Sequence, residues 1–519
     1  MGYILTFEEM IARRSLLATA AFAKLFGQEP AKLPNILLIT CGNLGPHLGC
    51  YGYSSVATPA LDAFAAQATR YEKAFAVSSI PAVSRAGLET GMWPVSTGMH
   101  MDGRAVLPEF IKRLPDALKA AGYWVAASQA PAGKPRFVWR RLDAVSPARI
   151  RLRDAAYERL VKTLKPELRG KGADAQLPPH FEDNDDSRLD WAHYNELIGL
   201  LDMQFSARLK EATPDWLVIF ASEYGFALEE GNSAVYETGT RVPLLVRMPG
   251  QMTGAVSQRL VSLIDIAPTL LTAAGVRVPA YMQGQPLSSP QQRRFVYASM
   301  DRVRDRYEYV RSVREGRYRY VRNYSTGAEE LYDTQTDPNE VTDIAKAEAA
   351  VVSRMREQLE RWRAEVRDLG LMPDAELAVR EAQWRTRYAA GRAPEFVALQ
   401  TKLTELASTK SLDKIYAAFA EEESPLRYWA CVKGKDTHRR EIERLTRDSS
   451  GAVRVAAAQA LGNTKALLRE LKSPEEWVRY LALLALQTDG SAKAAIEEML
   501  KTEKNRTVSA AASRILKGM

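Results

Sequence analysis

Cysteine is scarce in this chain: Cys41, Cys50 and Cys431 are the only three in 519 residues. Three thiols do not make a disulfide framework, and their spacing fits no zinc ribbon. Cys41 and Cys50 can pair only if the fold brings them together; the plainer expectation is that each is a small buried hydrophobe. Long apolar runs are lacking too. No stretch reaches the roughly 20 residues that cross a bilayer, so no membrane span is expected. Nor does charge of one sign dominate. With 71 Lys+Arg against 63 Asp+Glu, the net charge is +8, which is mild for this length and points only weakly to a polyanionic partner. Nucleic acid is not an expected partner. What is present is ordinary globular composition, 46% hydrophobic and 26% charged, in a chain long enough for about two to four domains.

The first 30 residues include "MIARRSLLATAAFAKLFGQEP". An arginine pair, Arg13-Arg14, precedes a short apolar run that Lys24 interrupts. This is the layout of an export signal of the twin-arginine type. A non-cleaved amphipathic helix is the alternative, and Met10 is a second candidate start. The expectation is an exported protein, periplasmic or extracellular.

Further along, "LPNILLIT" (33–40) and "PDWLVIFASEYG" (214–225) are apolar runs ending in polar clusters, as buried parallel strands do. "TPALDAFAAQATRYEKAF" (58–75) has helical spacing, with Thr58 as N-cap and Pro59 at the first helical position. "LPDALKAAGYWVAAS" reads as helix then strand, and "RVPLLVRMPG" and "SLIDIAPTLLTAAGV" continue the alternation. The pattern predicts an α/β sheet with helices on both faces, with ligands at the carboxyl edge of the strands. Residues 296–365 read as short strands and turns followed by a long helix, "AEAAVVSRMREQLERWRAEVRDL", a small α+β subdomain. From about 395 the chain is helical, and apolar positions Leu426, Val453, Val478 and Val508 recur at spacings of 27, 25 and 30. Arginine follows the first three and Ser509 the last. Such a period resembles HEAT-type helix pairs, which bury a face only by stacking; a plain helical bundle is the alternative.

Five segments carry a family resemblance: "LPNILLITCGNLGPHLGCYG", "TPALDAFAAQATRYEKAFAVSSIPAVSRAGLETG", "VIFASEYG", "YETGTRVPLLVRMPG" and "LIDIAPTLLTAAGV". In order and spacing they resemble the sulfatase family, and "ELYDTQTDPNEV" resembles its C-terminal subdomain. "LGPHLGCYG" is most similar to the branch acting on iduronate- and heparan-type sugars. The resemblance spans about residues 33–365. It implies an alkaline-phosphatase-like α/β sheet sandwiched by helices, a small α+β subdomain, and then the α-helical repeat region. The segments so delimited are 1–30 (signal and linker), 31–295 (α/β domain), 296–370 (C-terminal subdomain), 371–394 (helical linker) and 395–519 (helical repeats).

The family's chemistry needs a cysteine-derived formylglycine nucleophile, a calcium ion on aspartates, and basic residues around the sulfate. Position by position, this sequence departs from that set. The nucleophile cysteine falls on Pro81 and the motif's proline on Val83, leaving Ser84 and Arg85. The paired metal aspartates fall on Gly42 and Asn43. The second Asp–His pair falls on Glu223 and Tyr224, and a lysine falls on Asn232. Lys134, in "AGKPRF", is a doubtful match to another family lysine. His47 stands where the sugar-acting branch has an aspartate, and His100 matches a histidine of that branch; without metal or nucleophile both read as structural.

Two function classes stay open. The first is a dismantled sulfatase that binds an anionic, sulfated polysaccharide in its cleft or a protein partner on its helical repeats, with no cofactor. The alternative is an active sulfuric or phosphoric ester hydrolase with a non-standard nucleophile (Ser78, Ser79 or Ser84 are near Pro81) and calcium as its metal. Cys41, at a strand end, is expected to be a buried thiol rather than a reactive one. Between Arg136 and Lys171 there are 11 basic and four acidic residues. That stretch is read either as a solvated helix face or as a contact for sulfated or carboxylated glycans.

Overall fold

The computed structural model describes residues 33–98, 111–126, 128–145, 159, 162–164, 177–179, 181–226, 235–303, 306–366, 368, 370–378 and 394–519. The arginine-pair segment, His100, Asn232 and most of the basic stretch after 145 lie outside the described residues.

Seven strands form the central sheet: β1 (Ile36–Cys41), β2 (Thr69–Phe75), β3 (Trp124–Val125), β4 (Arg136–Arg141), β5 (Leu217–Ser222), β6 (Leu244–Arg247) and β7 (Ala255–Ser262), in the order β3-β4-β1-β5-β6-β2-β7. β1 pairs parallel with β4 and β5; β6 runs antiparallel to β5 and β2. Every residue of β1 and β5 is buried. Because strand side chains alternate, Leu37 and Ile39 enter one apolar layer and Ile36 and Leu38 the other. The first layer holds α4 (Asp185–Leu209) through Trp191, Tyr194 and Leu197. The second holds α3 (Leu114–Ala120) and α5 (Ile266–Ala273) through Leu114, Leu118, Ile266 and Leu270. An all-apolar strand is stable only when both faces are covered, and here they are.

Two expectations need correction. The segment 58–75 is not one helix: α1 spans Pro59–Ala65, and Thr69–Phe75 is strand β2. A seven-residue helix stabilises little by itself, and residues 69–75 gain ladder bonds from β7 and β6. Thr58 precedes the helix without a side-chain capping bond; its hydroxyl instead accepts from Gly49 N and donates to Asp62. The second correction concerns the start of the basic stretch. Arg136–Arg141 is not a solvated helix face but β4, beside β1, with Phe137 and Val138 in the core.

A second, antiparallel sheet, β8 (Phe295–Val303), β9 (Arg306–Glu315), β10 (Tyr318–Asn323) and β11 (Glu329–Asp333), packs against α6 (Ala349–Val366). Beyond it, segment 370–378 sends Leu371, Met372 and Leu377 into the core of the helical region. Trp429 donates its indole N–H to Leu371 O at 2.7 Å, and Glu376 accepts from the hydroxyls of Ser424 and Ser450.

In that region α7 (Ser424–Gly434), α8 (Gly451–Ala460), α9 (Glu476–Leu486) and α10 (Arg506–Gly518) each bury an apolar residue in the first turn: Leu426, Val453, Val478 and Val508. The arginine after each of the first three makes the same contacts. Arg427, Arg454 and Arg479 pair with Asp448, Glu470 and Glu503, and each donates to two carbonyls five and six residues earlier. The arginine thus satisfies carbonyls that the chain leaves open where one helix gives way to the next.

Candidate functional site: an arginine–glutamate–arginine cluster at the sheet edge

The carboxyl ends of β1, β4 and β5 bring three chain segments together. Gly42 and Asn43 follow β1, Arg141 ends β4, and Glu223 and Tyr224 follow β5. A fourth segment, the start of α2 (Pro81–Thr90), adds Arg85. Pro81 is the first helical residue, a position that tolerates proline because the N–H there has no intrahelical partner. Pro81, Ala82 and Arg85 are accessible, while Val83 and Ser84 are buried.

Glu223 is the centre of the cluster, its side chain only 2% exposed. One carboxylate oxygen accepts from Arg85 Nε and Nη2, both at 2.9 Å. The other accepts from Arg141 Nε at 3.0 Å and from Thr40 Oγ1 at 2.9 Å. Thr40 in turn accepts from the Trp139 indole at 2.9 Å. A buried carboxylate needs such partners, since an uncompensated one costs several kcal/mol. Two guanidiniums face one carboxylate, so the cluster carries one surplus positive charge. Arg141 is half-exposed and Arg85 about one-quarter exposed, so both reach solvent.

The residues present do not fit a calcium ion. Calcium takes about 6–8 oxygens, several of them charged. Gly42 offers no side chain, and a Cβ built there would lie 2.6 Å from Tyr224 Cε1 and 2.8 Å from its hydroxyl. An aspartate therefore does not fit at 42 while Tyr224 stands where it does. The carboxylate of Glu223 is already shared by two arginines. Among the described residues no group of three or more His, Cys, Asp or Glu side chains is placed to hold a metal.

The other candidates disperse. Ser84 donates its hydroxyl to the backbone carbonyl of Glu223 and is fully buried. Ser78 is buried as well. Burial pushes the Cys41 thiol up to about 12, despite a hydrogen bond with Ser222, so it carries no thiolate near neutrality. Burial also pushes Cys50 up to about 12, and neither thiol is in a disulfide. The Tyr224 hydroxyl is raised by burial and by the Glu223 charge, and so stays protonated. His47 turns away into an aromatic layer, its Nδ1 2.7 Å from Tyr194 OH and its ring beside Tyr53 and Trp191. Lys134 is exposed in the turn before β4.

Sequence reasoning missed Arg141, counting it only as one charge in a basic stretch. The available signal was the short run "RFVWRR", whose strand character fixes the alternation. Arg140 points toward α4 and pairs with Glu211, while Arg141 turns to Glu223.

A seven-stranded sheet layered by helices and followed by an antiparallel sheet defines the class of sulfatase-fold proteins. The sulfatase family model matches residues 34–132 and 179–276, and the model of the C-terminal region of N-sulphoglucosamine sulphohydrolase matches 231–365. Over residues 34–132 and 179–365 the chain is accordingly similar to the sulfatase family. Curated relatives include an ulvan-active sulfatase of Formosa agariphila, 24% identical, over 68% of this chain and 79% of the relative. Human N-sulphoglucosamine sulphohydrolase is 23% identical, over 68% of this chain and 94% of the relative. Among solved structures, a 2-O GAG sulfatase superposes with a TM-score of 0.54 at 19% identity, covering 64% of this chain and 93% of that one. A second structure, bound to its substrate D-glucosamine-2-N,6-O-disulfate, gives 0.51 at 18%, covering 65% and 99%.

Proposed function

We propose that this protein binds a sulfated, anionic glycan in the sheet-edge cleft without hydrolysing it and without a metal. The observation that carries the reading is the Arg85–Glu223–Arg141 cluster. It occupies the ground between β1, β4 and β5 with fixed guanidiniums, which donate charge-assisted N–H bonds to the oxygens of a sulfate or carboxylate. Hydrolysis needs a nucleophile with a base or metal beside it. At the start of α2 stands Pro81, which has no nucleophilic atom, and the nearby Ser84 hydroxyl is committed to a backbone carbonyl. The ulvan- and glucosamine-active relatives support the ligand class. No helix among the described residues is long and apolar enough to cross a membrane, and we propose export through the arginine-pair segment. The helical region, a stack in the manner of HEAT-type repeats, is proposed to offer a protein partner its surface.

The test is sulfate and phosphate release from aryl esters and sulfated glycosaminoglycan fragments, with and without calcium, beside retention of the same fragments on immobilised protein. The expected result is retention that Arg141→Ala weakens, with no release above an Arg85→Ala control. Calcium-dependent release above that control would overturn the reading in favour of a hydrolase using one of the serines near Pro81.

A further inference from the structure

Segment 370–378 joins the C-terminal sheet to the helical region, and the ground beneath it is a buried charge cluster. Arg311 on β9 and Arg363 on α6 are both buried there. Asp368 accepts four hydrogen bonds: from Arg311 Nε at 2.8 Å and Nη2 at 2.9 Å, from Arg363 Nε at 2.8 Å and from the Gly370 amide at 2.8 Å. Asp301, on β8, is the odd member. It is fully buried and 2.6 Å from Arg311 Nη2, yet neither of its carboxylate oxygens accepts a hydrogen bond among the described residues. Burial without hydrogen bonds favours the protonated form of a carboxyl. Burial accordingly pushes Asp301 up to about 7; Arg311 pulls it down, the Asp368 charge pushes it further up, and Arg363 adds a smaller downward pull.

What keeps water from Asp301 is the segment itself. A Cβ on Gly370 would collide with both Arg311 and Asp301, so the chain crosses directly over the pair. From there it enters the helical region: Leu371, Met372 and Leu377 lie in that core, Leu371 O accepts the Trp429 indole N–H, and Glu376 accepts from Ser424 and Ser450. The opposing wall is strained. Tyr309, on β9 and buried, has a φ of 48°, a left-handed conformation that bulky side chains rarely adopt. Its ring lies 5.1 Å from that of Trp429, and its hydroxyl bonds with that of Tyr428 on α7. The carboxyl of buried Asp374 faces both hydroxyls. Strain of this kind collects in elements that switch between two arrangements. With the cover lifted, Asp301 titrates in water at about 4. The hold is therefore fullest below about 4, falls about tenfold for each pH unit above that, and is lost by about 7.

We infer that segment 370–378 is a pH-operated latch: a protonated Asp301 lets it close on the C-terminal sheet and hold the helical region in place, and ionisation of Asp301 loosens it. The inference does not rest on the anion cleft. Hydrogen-exchange mass spectrometry on the full chain tests it, at pH 5, 6, 7 and 8, with labelling times scaled for the intrinsic exchange rate. Protection in peptides covering 370–378 and α7 is expected to fall about tenfold per unit from pH 5 to 7 and to level off by pH 8. Strand β5, in the α/β core, is expected to keep its protection throughout. Asp301→Asn keeps the shape without the charge and is expected to give a flat profile. Asp301→Ala removes the titrating group and adds no donor; it is expected to do the same, and is read if the asparagine variant does not fold. Wild-type protection over 370–378 that changes no more than that of β5 overturns the inference. So does a pH slope that persists in a folded variant lacking the Asp301 carboxyl.

Discussion

Replacing Glu223 by glutamine probes the cluster directly, because it keeps the shape and removes the charge. In the native cluster each carboxylate oxygen accepts from an arginine, and one also accepts from Thr40. Glutamine has one oxygen and one NH2, so in either orientation a donor faces a donor. Charge-assisted bonds contribute about 1.5–3 kcal/mol each. Two such pairs are weakened, but both arginines are partly solvated, which discounts the loss. A destabilisation of about 3 kcal/mol follows. At roughly 2–4 °C per kcal/mol for domains of 150–250 residues, Tm is expected to fall by about 6–12 °C in low-salt chloride buffer, read by scanning calorimetry. The same substitution leaves two guanidiniums without a counter-ion, so sulfate is expected to bind there and restore stability. An anion at 100 times its Kd returns about 2.7 kcal/mol, nearly the whole loss. Sodium chloride at matched ionic strength separates site binding from screening. The double variant Arg85→Ala/Glu223→Gln is expected to lose the sulfate response. If Glu223→Gln melts with the wild type, or sulfate stabilises all three proteins alike, the cluster neither holds the cleft together nor forms an anion site.

Three further outcomes follow from the packing. Gly370→Ala places a Cβ 1.8 Å from Arg311 Nη2 and 2.4 Å from Asp301 Oδ1. It must therefore disturb the buried pairs of Arg311 with Asp301 and Asp368; a loss of about 3–5 kcal/mol is expected in chemical denaturation, and an undiminished midpoint refutes it. Burial raises the Asp202 carboxyl to about 6, against the amide bonds from Ala60 and Leu61 that lower it. A raised folded-state value stabilises below the unfolded value near 4 and loses that contribution as pH rises through about 6. The stability advantage of wild type over Asp202→Asn is thus expected to shrink by about 2–3 kcal/mol between pH 4 and 7, and a pH-independent gap counts against it. Arg454→Ala removes the paired bonds to Glu470, both 2.8 Å, and the carbonyl contacts that repeat at Arg427 and Arg479. It is expected to cost about 1–2 kcal/mol in the helical region's transition while leaving cleft binding unchanged, as calorimetry and glycan retention together will show.

The layered α/β architecture follows from local pattern. The runs "ILLI" (36–39) and "LVIFA" (217–221) are apolar at every position, and a strand apolar on both sides folds only between two covering layers. Residue identity also shows which groups are absent from the sheet edge: proline, glycine and tyrosine carry the same missing chemistry in any fold. The first-turn apolar positions of the helical region were legible for a related reason, since each repeats a local pattern. What a linear reading did not reach was the use made of Arg85 and Arg141. They are 56 positions apart, and Glu223 joins them only because β4 and β5 both pair with β1. In the same way "TRYEKAF" continues a helical pattern, yet becomes β2 because β6 and β7 offer it hydrogen bonds. Local pattern is written in neighbouring residues. A charge cluster, a blocked metal position and a buried junction belong to residues that meet only when distant strands and helices pack, and tertiary structure alone decides them.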